Sequence, residues 1–335
     1  MSRAGPTLPR LLTAGDPAHG VVRYARAVAA AVAARTGCAV QLDAVPVGTA
    51  LADAGPLHVH VTDRIWGAGP EAAADRLEAL CAAVALSVTL HDLPQASDGP
   101  RSFPRRAAAY RRIARAARGV AVSSAHEAAL LGEIAGTDVA AAVIPLPVHA
   151  QPPLRTRPDP DEEAVVLGYF YPGKGHAEVV AAVAVLARPG LGVTVLGTAS
   201  AGHDGELADL AADAARRGVR LTVTGHLGES DLLAGARRAA VPVAAHRHVS
   251  ASGSLNSWIA AGRRPLVPDG PYTREMETLR PHTLTRYPPG GLAAAIEGAR
   301  LRPDTTWLPA DATLRPDLDD VAAAYLAWWA DGVAW

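Results

Sequence analysis

Two residue types occur once each in this chain, and both stand where a side chain could contact a ligand. Lys174 is the only lysine among 32 Lys and Arg residues, and Asn256 is the only asparagine. An ammonium group is a compact point charge suited to phosphate, and an amide can hydrogen-bond the hydroxyls of a sugar. Chance survival of an A/T-rich codon is the alternative explanation for each.

The lysine lies in the segment "GYFYPGKGHAEVV", residues 168 to 180. An apolar strand is predicted to reach Gly168, and a helix is predicted to open at Lys174 and Gly175. A cation in the first turn opposes the helix dipole, so something else must favour it there. An anionic ligand would do so, and the pattern therefore indicates a diphosphate site. A surface lysine at a turn is the alternative.

Two further loops precede predicted helices and could offer backbone amides to an anion. The first, "AGDPAHG", ends at Gly20 and suits a phosphate or sugar, although an ordinary turn would need the same glycines. The second contains Ser252, Gly253, Ser254, Leu255 and Asn256, for which a serine-rich capping loop is the alternative.

Three histidines lie within or at the end of two predicted strands in the first half of the chain. His91 and Asp92 come at the end of the strand "LSVTLHD", where α/β enzymes place polar side chains over a ligand. A capping histidine at the edge of the core explains His91 equally well. His58 and His60 share one face of "LHVHVTD", but no third ligand follows at metal spacing. We expect no metal.

Short apolar runs alternate with alanine-rich helical runs, which predicts parallel sheets covered by helices. This pattern occurs twice, and it predicts two Rossmann-like doubly wound α/β domains that face each other across a cleft. We expect a first domain over 1–150, a linker over 151–163, a second domain over 164–315, and a C-terminal helix over 316–335 that packs back on the first. The predicted strands cover residues 9–15, 39–45, 57–63, 86–92, 119–124, 141–148, 164–170, 192–198, 219–226, 240–246 and 263–269.

Composition argues against several classes of partner. The net charge is -1 and the sequence pI is about 6.9, which provides no basic field for nucleic acid or an anionic membrane. No run of 18 apolar residues occurs, and the first residues lack the apolar core of a signal peptide. We expect a cytoplasmic protein that does not associate with membranes.

Taken together, these segments resemble those of GT-B glycosyltransferases of the retaining family 4 type. The resemblance covers nearly the whole chain and is most specific around "GYFYPGKG" and "AAGRRPLV". It implies that Lys174 binds the donor diphosphate, with Gly20 and Gly168 beside it, and that His91 faces the donor sugar as a second catalytic residue. It also implies that "TGHLGESDL" frames the nucleotide base through Gly225, His226 and Leu227.

The chain departs from the family pattern at two places. Tyr169 occupies the position of an arginine that binds phosphate, which leaves open whether Arg247 or Arg264 substitutes for that charge. The Glu-x7-Glu motif is absent, because its second glutamate falls at Asn256 or Ser257. Asn256 would still be able to hydrogen-bond a ribose.

The sequence therefore predicts a metal-independent glycosyltransferase that uses a nucleotide-sugar as co-substrate and retains anomeric configuration. A GT-B nucleotide-sugar epimerase and a non-catalytic binding protein of the same fold are the alternatives. The acceptor, expected to be a small molecule, is unidentified. Its predicted contacts are His19, Trp66, Asp92, Phe103 and Arg105.

Overall fold

The chain divides into two α/β units. The computed structural model describes residues 8–42, 55–152, 154 and 156–335. Unit 1 comprises residues 1–147 and 316–335, and unit 2 comprises residues 148–315. A strand of unit 2 already begins at Asp161, so the last three residues of the segment 151–163 belong to a sheet rather than to a linker. Residues 153 and 155 of that segment lie outside the described residues.

Unit 1 is built on a parallel sheet in the order β2-β1-β3-β4-β5-β6. The two central strands, β3 and β4, are buried at every position, as expected when helices cover both faces of a parallel sheet. Each strand lies within a predicted segment, although residues 43–45 of the segment 39–45 lie outside the described residues. The strands are β1 (Arg10–Leu12), β2 (Gln41–Leu42), β3 (Leu57–Val61), β4 (Leu86–Leu90), β5 (Gly119–Val122) and β6 (Ala141–Val143).

The helices of unit 1 include the last one of the chain, which packs against the first. Val321, Tyr325 and Trp329 follow one another at four-residue intervals and form one buried face, which joins Val28 and Val32 in a shared core. The expected return of the C-terminal helix to the first domain is thereby confirmed. The helices are α1 (Gly20–Thr36), α2 (Asp63–Trp66), α3 (Pro70–Ala83), α4 (Gly99–Ala116), α5 (Ala125–Ala135) and α12 (Leu318–Asp331).

Unit 2 has a second parallel sheet in the order β12-β11-β10-β7-β8-β9. Sequence patterning missed β12, because its three residues include an arginine and form no apolar run. The strands are β7 (Asp161–Leu167), β8 (Gly192–Leu196), β9 (Leu221–Val223), β10 (Ala239–Val243), β11 (Leu266–Pro268) and β12 (Thr285–Tyr287). The helices are α6 (His176–Leu186), α7 (Asp204–Arg216), α8 (Glu229–Arg238), α9 (Gly253–Ala260), α10 (Pro271–Leu279) and α11 (Leu292–Leu301).

Each sheet has a point where the strand order reverses, between β1 and β3 in unit 1 and between β7 and β10 in unit 2. Connections leave such a point in opposite directions, so a crevice opens at the carboxyl ends of the two strands, where open α/β sheets bind ligands. In unit 2 the loops that follow these strands contain Lys174 and Ser252–Ser254. In unit 1, His91 follows the strand next to the reversal.

Candidate functional site

The ammonium group of Lys174 is buried, and no described residue provides a carboxylate partner for it. The residue is 7% exposed, and its Nζ donates a hydrogen bond of 2.9 Å to Oγ of Ser254. Nζ also lies 5.5 Å from the centre of the Tyr171 ring, a cation–π contact. No Asp or Glu oxygen among the described residues is within 4.0 Å of it. Burial lowers the pKa of Lys174 to about 8, so the charge is present at neutral pH and lacks a counterion.

Two glycines let the backbone turn tightly around this ammonium group. Gly168 has φ +102°, and a Cβ placed on it would lie 3.5 Å from Nζ of Lys174. Gly175 has φ +94°, and a Cβ there would lie 2.0 Å from the backbone oxygen of Ala245. A side chain at Gly175 would therefore be incompatible with the approach of the Lys174 loop to the end of β10.

Sequence reasoning missed two histidines that surround the lysine. Nε2 of His246 is 3.5 Å from Oγ of Ser254, and His246 is 5% exposed. Both ring nitrogens of His176 are buried and make no hydrogen bond with the described residues. Burial, with the charge of Lys174 adding to it, lowers the pKa of His176 to about 3 and that of His246 well below its usual range. Both rings are neutral, so they neither add positive charge to the site nor balance the ammonium charge.

In the loop that starts α9, the serines contribute hydroxyl groups to the site. Not every residue predicted there does so. Ser252 Oγ caps the helix by accepting from the amide of Leu255 at 3.1 Å, and it lies 3.2 Å from Ser254 Oγ. The prediction that Leu255 binds a ligand was wrong, because its amide is taken by this cap and its side chain is in the core. Asn256 is only 6% exposed, and Ser257 donates its hydroxyl to the Gly253 carbonyl at 3.0 Å. Asn256 is about as buried as Lys174 and His91, and its contact with a ribose stays a prediction.

The loops after β7, β8 and β9 adjoin one another at the same edge of the sheet. A Cβ on Gly197 would lie 2.4 Å from the Gly168 oxygen, and the Gly197 amide donates to Oγ1 of Thr224 at 3.1 Å. Next to Thr224 comes the predicted base-framing segment. Gly225 has φ +76°, His226 is exposed and Leu227 packs partly against the core. Tyr169, where the sequence resemblance predicts an arginine, is 45% exposed.

In unit 1, His91 is held at the end of β4 by contacts on several sides. Its amide donates to the Val61 carbonyl at 2.9 Å, and Oη of Tyr110 donates to its carbonyl at 2.9 Å. Its Nε2 lies 3.0 Å from Nδ1 of His60. Burial, with the neighbouring His19 adding to it, lowers the pKa of His91 to about 4, so the ring is neutral. His91 can therefore offer a ligand a neutral hydrogen-bonding group rather than a positive charge.

The first loop of unit 1 places His19 and Gly20 at the start of α1. Nδ1 of His19 accepts from the Val21 amide at 3.2 Å, so this histidine is the N-cap of the helix. Gly20 is the first residue of the helix and is exposed. Both residues are accessible at the carboxyl end of β1, and Gly20 belongs to a different unit from Lys174.

Several of the predicted acceptor contacts are occupied by other interactions. Trp66 is 1% exposed and donates from Nε1 to the His60 carbonyl at 2.8 Å, so the prediction that it contacts an acceptor was wrong. Its segment is a helix, α2, rather than an open loop. Arg105 and half-buried Phe103 lie on α4, and Arg105 makes a bidentate ion pair with Glu71 at 2.7 and 2.9 Å.

Asp92 adopts a left-handed backbone conformation that only a few non-glycine residues occupy, with φ +54°. Arg106 stabilises this turn by donating to the Asp92 carbonyl at 2.7 Å and to its carboxylate at 2.9 Å. The same guanidinium pairs with Asp63 and Asp98. Strain at the residue after His91 is thus balanced by ion pairs with Arg106, whose side chain is 12% exposed, and these fix the backbone beside the histidine.

Comparison with solved structures identifies the fold. HepE from Anabaena, in complex with UDP and glucose, superimposes with a TM-score of 0.67 at 14% identity over 94% of this chain and 95% of that one. Sucrose-phosphate synthase from Thermosynechococcus elongatus gives a TM-score of 0.69 at 18% identity over 95% and 94%. The lipopolysaccharide outer core galactosyltransferase WaaB gives 0.58 at 9% identity over 96% and 95%.

No protein-family model matches the chain, and no curated protein matches its sequence. The chain nevertheless has the α/β fold of these GT-B glycosyltransferases over nearly its whole length. In the described ranges, the helices are too short or too polar to traverse a lipid bilayer.

Proposed function

We propose that this protein is a glycosyltransferase that transfers a sugar from a nucleoside-diphosphate sugar to an acceptor with retention of configuration. The observation that carries the proposal is the buried ammonium of Lys174, which lacks a carboxylate partner among the described residues at the carboxyl end of β7. A buried cation without a partner is costly, and a bound anion offsets that cost. HepE, which shares the fold, binds UDP and UDP-glucose.

The groups around Lys174 fit the departure of a diphosphate. Negative charge grows on the bridging oxygen as the bond to the sugar breaks, and donors already fixed in a buried site stabilise that charge most effectively. Lys174 supplies a charge, while Ser252 and Ser254 supply hydroxyls. The first amides of α6 and α9 add their partial positive charge. These groups act without a metal, and we propose that none is required.

We further propose that Arg247 supplies the second cation that Tyr169 does not. The Arg247 amide donates to the Gly173 carbonyl at 2.9 Å, which places this residue beside the lysine loop. Its side chain is 62% exposed and Nε lies 3.3 Å from a Glu178 oxygen. An exposed ion pair of this kind contributes little to stability, so the guanidinium can exchange the carboxylate for a phosphate. Arg264 is the weaker candidate because its Nε donates to the Leu284 carbonyl at 2.8 Å.

The nucleotide base is proposed to lie against the loop after β9. Exposed His226 offers an aromatic face, and Gly225 lets the chain turn beside it. In unit 1, His91 is proposed to contact the reacting sugar through a neutral ring nitrogen, and His19 is proposed to contact the acceptor. The acceptor is proposed to be a small molecule.

Calorimetric titration with UDP, GDP, ADP and dTDP, and with their glucose conjugates, tests the donor site. We expect one base to be preferred and Lys174→Ala to weaken that nucleotide by on the order of 2 kcal/mol, roughly thirtyfold in Kd. Arg188→Ala is the matched control, because Arg188 follows the opposite end of α6 and pairs with Glu297. Absence of binding, or equal binding by Lys174→Ala, would refute the assignment of the donor site.

Product analysis then separates the proposed activity from its alternatives. Release of the nucleoside diphosphate together with a new glycoside of unchanged anomeric configuration supports a retaining transferase. Conversion of the donor sugar into its epimer would instead identify an epimerase. Tight donor binding without either product, across a panel of sugar, polyol and glycolipid acceptors, would favour a non-catalytic binding protein.

A further inference from the structure

Three histidines lie side by side in the core of unit 1, and only one of them is at the edge where a ligand could bind. His58 and His60 belong to β3, and His91 follows the neighbouring strand β4. His58 is 0% exposed and His60 is 3% exposed. Burying an imidazole in the centre of a sheet is costly unless its nitrogens are hydrogen-bonded, so the partners of each ring show what it does.

His58 has partners for both nitrogens inside the protein. Its Nδ1 lies 2.9 Å from Ser87 Oγ and its Nε2 lies 3.1 Å from Thr89 Oγ1. The Thr89 hydroxyl in turn lies 2.8 Å from the hydroxyl of Tyr325 on α12. These contacts join β3, β4 and the C-terminal helix, and they account for His58 as a structural residue.

His60 differs because, within the described residues, the one hydrogen bond of its side chain leads to His91. Nδ1 of His60 and Nε2 of His91 are 3.0 Å apart. The ring planes are inclined by 16° and the ring centres are 5.3 Å apart, so the two imidazoles are nearly coplanar and meet edge to edge. Tyr24 packs edge-on against both rings and covers them. This is the geometry of an N–H···N hydrogen bond between two neutral imidazoles.

The direction of that hydrogen bond follows from the second nitrogen of His60. Nε2 of His60 is buried and makes no hydrogen bond within the part of the chain that the structure describes. A proton on Nε2 would leave a buried N–H without an acceptor, whereas a proton on Nδ1 leaves only a lone pair unsatisfied. Orphaned buried N–H groups are the rarer of the two in proteins. His60 therefore donates from Nδ1, and Nε2 of His91 accepts.

We propose that His60 is a positioning residue that holds His91 in the Nδ1–H tautomer, so that His91 presents an N–H donor to an oxygen of the bound sugar. This rests on the proposed function. Because Nε2 of His91 is engaged by His60, Nδ1 is the nitrogen left for a ligand at the end of β4. Tyr110 and the turn at Asp92 fix the His91 backbone, and His60 fixes the orientation and protonation of its ring.

Nitrogen-15 NMR of the ligand-free protein tests the tautomer without any substrate. Long-range proton–nitrogen correlations distinguish protonated from unprotonated ring nitrogens, and loss of one set of signals in His91→Gln assigns His91 among the 12 histidines. We expect a protonated Nδ1 and an unprotonated Nε2 for His91 near pH 7. A His91 protonated on Nε2 in the wild type would overturn the proposal.

Two substitutions at position 60 provide a matched pair. The side-chain nitrogen of asparagine is bonded to Cγ, as Nδ1 of histidine is, so His60→Asn keeps a donor facing His91 while His60→Leu removes it. We expect the wild-type His91 signals in His60→Asn and a mixture of tautomers in His60→Leu. His58→Asn changes the neighbouring ring, which shares no hydrogen bond with His91, and should leave the His91 signals in place. Unchanged His91 signals in His60→Leu would refute the proposal.

Kinetics link the tautomer to the reaction. With the nucleotide-sugar identified by calorimetry, we expect kcat to fall on the order of 10- to 100-fold in His60→Leu and to recover in His60→Asn. The Kd for the nucleoside diphosphate should change less than twofold in both, since Lys174 lies in the other unit. A fall in kcat that His60→Asn does not reverse would contradict the positioning role. Failure of all nucleotides to bind would instead reject the proposed function, while the NMR result would still decide the tautomer.

Discussion

The two units of this protein bury polar side chains in opposite ways. In unit 1 the histidine cluster, His58, His60 and His91, consists of neutral rings that bond to hydroxyls or to each other. In unit 2 the lysine cluster, Lys174, His176, His246 and Ser254, contains a charge whose neighbours are neutral. The first arrangement carries no charge and leaves one ring nitrogen, Nδ1 of His91, for a ligand. The second has no counter-charge in the part of the chain that the structure describes, and we propose that an anion completes it.

The lysine cluster also depends on a backbone conformation that only glycine tolerates, and Gly175→Ala should show this with the largest effect on stability. A Cβ at φ +94° and 2.0 Å from the Ala245 oxygen forces the lysine loop away from β10. We expect a loss of about 3 kcal/mol or more in the free energy of unfolding, measured by denaturant titration.

Gly253→Ala is the control for that substitution. Gly253 starts α9 in the neighbouring loop, and a Cβ there meets nothing within 4 Å. Its free energy of unfolding should stay within about 0.5 kcal/mol of the wild type. Equal stability of the two variants would show that the lysine loop can rearrange freely, and would weaken the view that it is preformed.

Replacing one buried residue in each cluster should change stability in opposite directions. The pKa of Lys174 is lowered by burial from 10.5 to about 8, so below pH 8 the folded protein carries the full cost of the charge. Stability from this group rises as the pH increases from 8 to 10.5, and above that range the cost is gone. At pH 7 we therefore expect Lys174→Met to stabilise the protein by about 3 kcal/mol while weakening nucleotide binding as Lys174→Ala does.

The contrasting substitution in unit 1 is His58→Leu. It leaves the buried Ser87 hydroxyl without the partner at 2.9 Å and should destabilise the protein by about 2 kcal/mol. Thermal and denaturant unfolding of both variants at pH 7 and pH 11 gives the comparison. Destabilisation by Lys174→Met at pH 7 would mean that the ammonium already has a stabilising partner, and the two clusters would then be alike.

The affinity for a nucleoside diphosphate should depend on pH through Lys174. The second phosphate pKa is about 6, so the ligand charge is constant above pH 7. Above pH 8 the free lysine is increasingly neutral, and binding requires proton uptake. We expect Kd to rise about tenfold per pH unit above 8, and calorimetry in buffers of different ionisation enthalpy should detect the proton. His176 and His246 remain neutral throughout, so a pH-independent Kd would exclude Lys174 as the phosphate-binding cation.

The smallest effect is expected from removing divalent metal. Lys174, the helix amides and Arg247 are proposed to balance the diphosphate charge, so chelation by EDTA should change the rate of sugar transfer less than twofold. Loss of activity in EDTA that Mg²⁺ restores would show that the cations of unit 2 are insufficient for the leaving group.

The sequence by itself determined the two α/β units, eleven of the described strands and the position of Lys174 in a loop at a strand end. It could do so because strand and helix periodicities are local, and because glycines and helix starts mark where loops meet the ends of parallel strands. It missed β12, whose three residues carry no apolar pattern, and it placed Trp66 on the surface because a short helix and an open loop look alike in sequence.

Only the tertiary structure decided which side chains meet. His246 joins Lys174 because β10 pairs with β7 in the sheet, and His60 joins His91 because β3 pairs with β4. These pairings join residues 72 and 31 positions apart, and no local pattern specifies the order of strands. For the same reason the sequence could not show that Asn256 is buried, or that the lysine, the rarest of its basic residues, is buried without a counter-charge among the described residues.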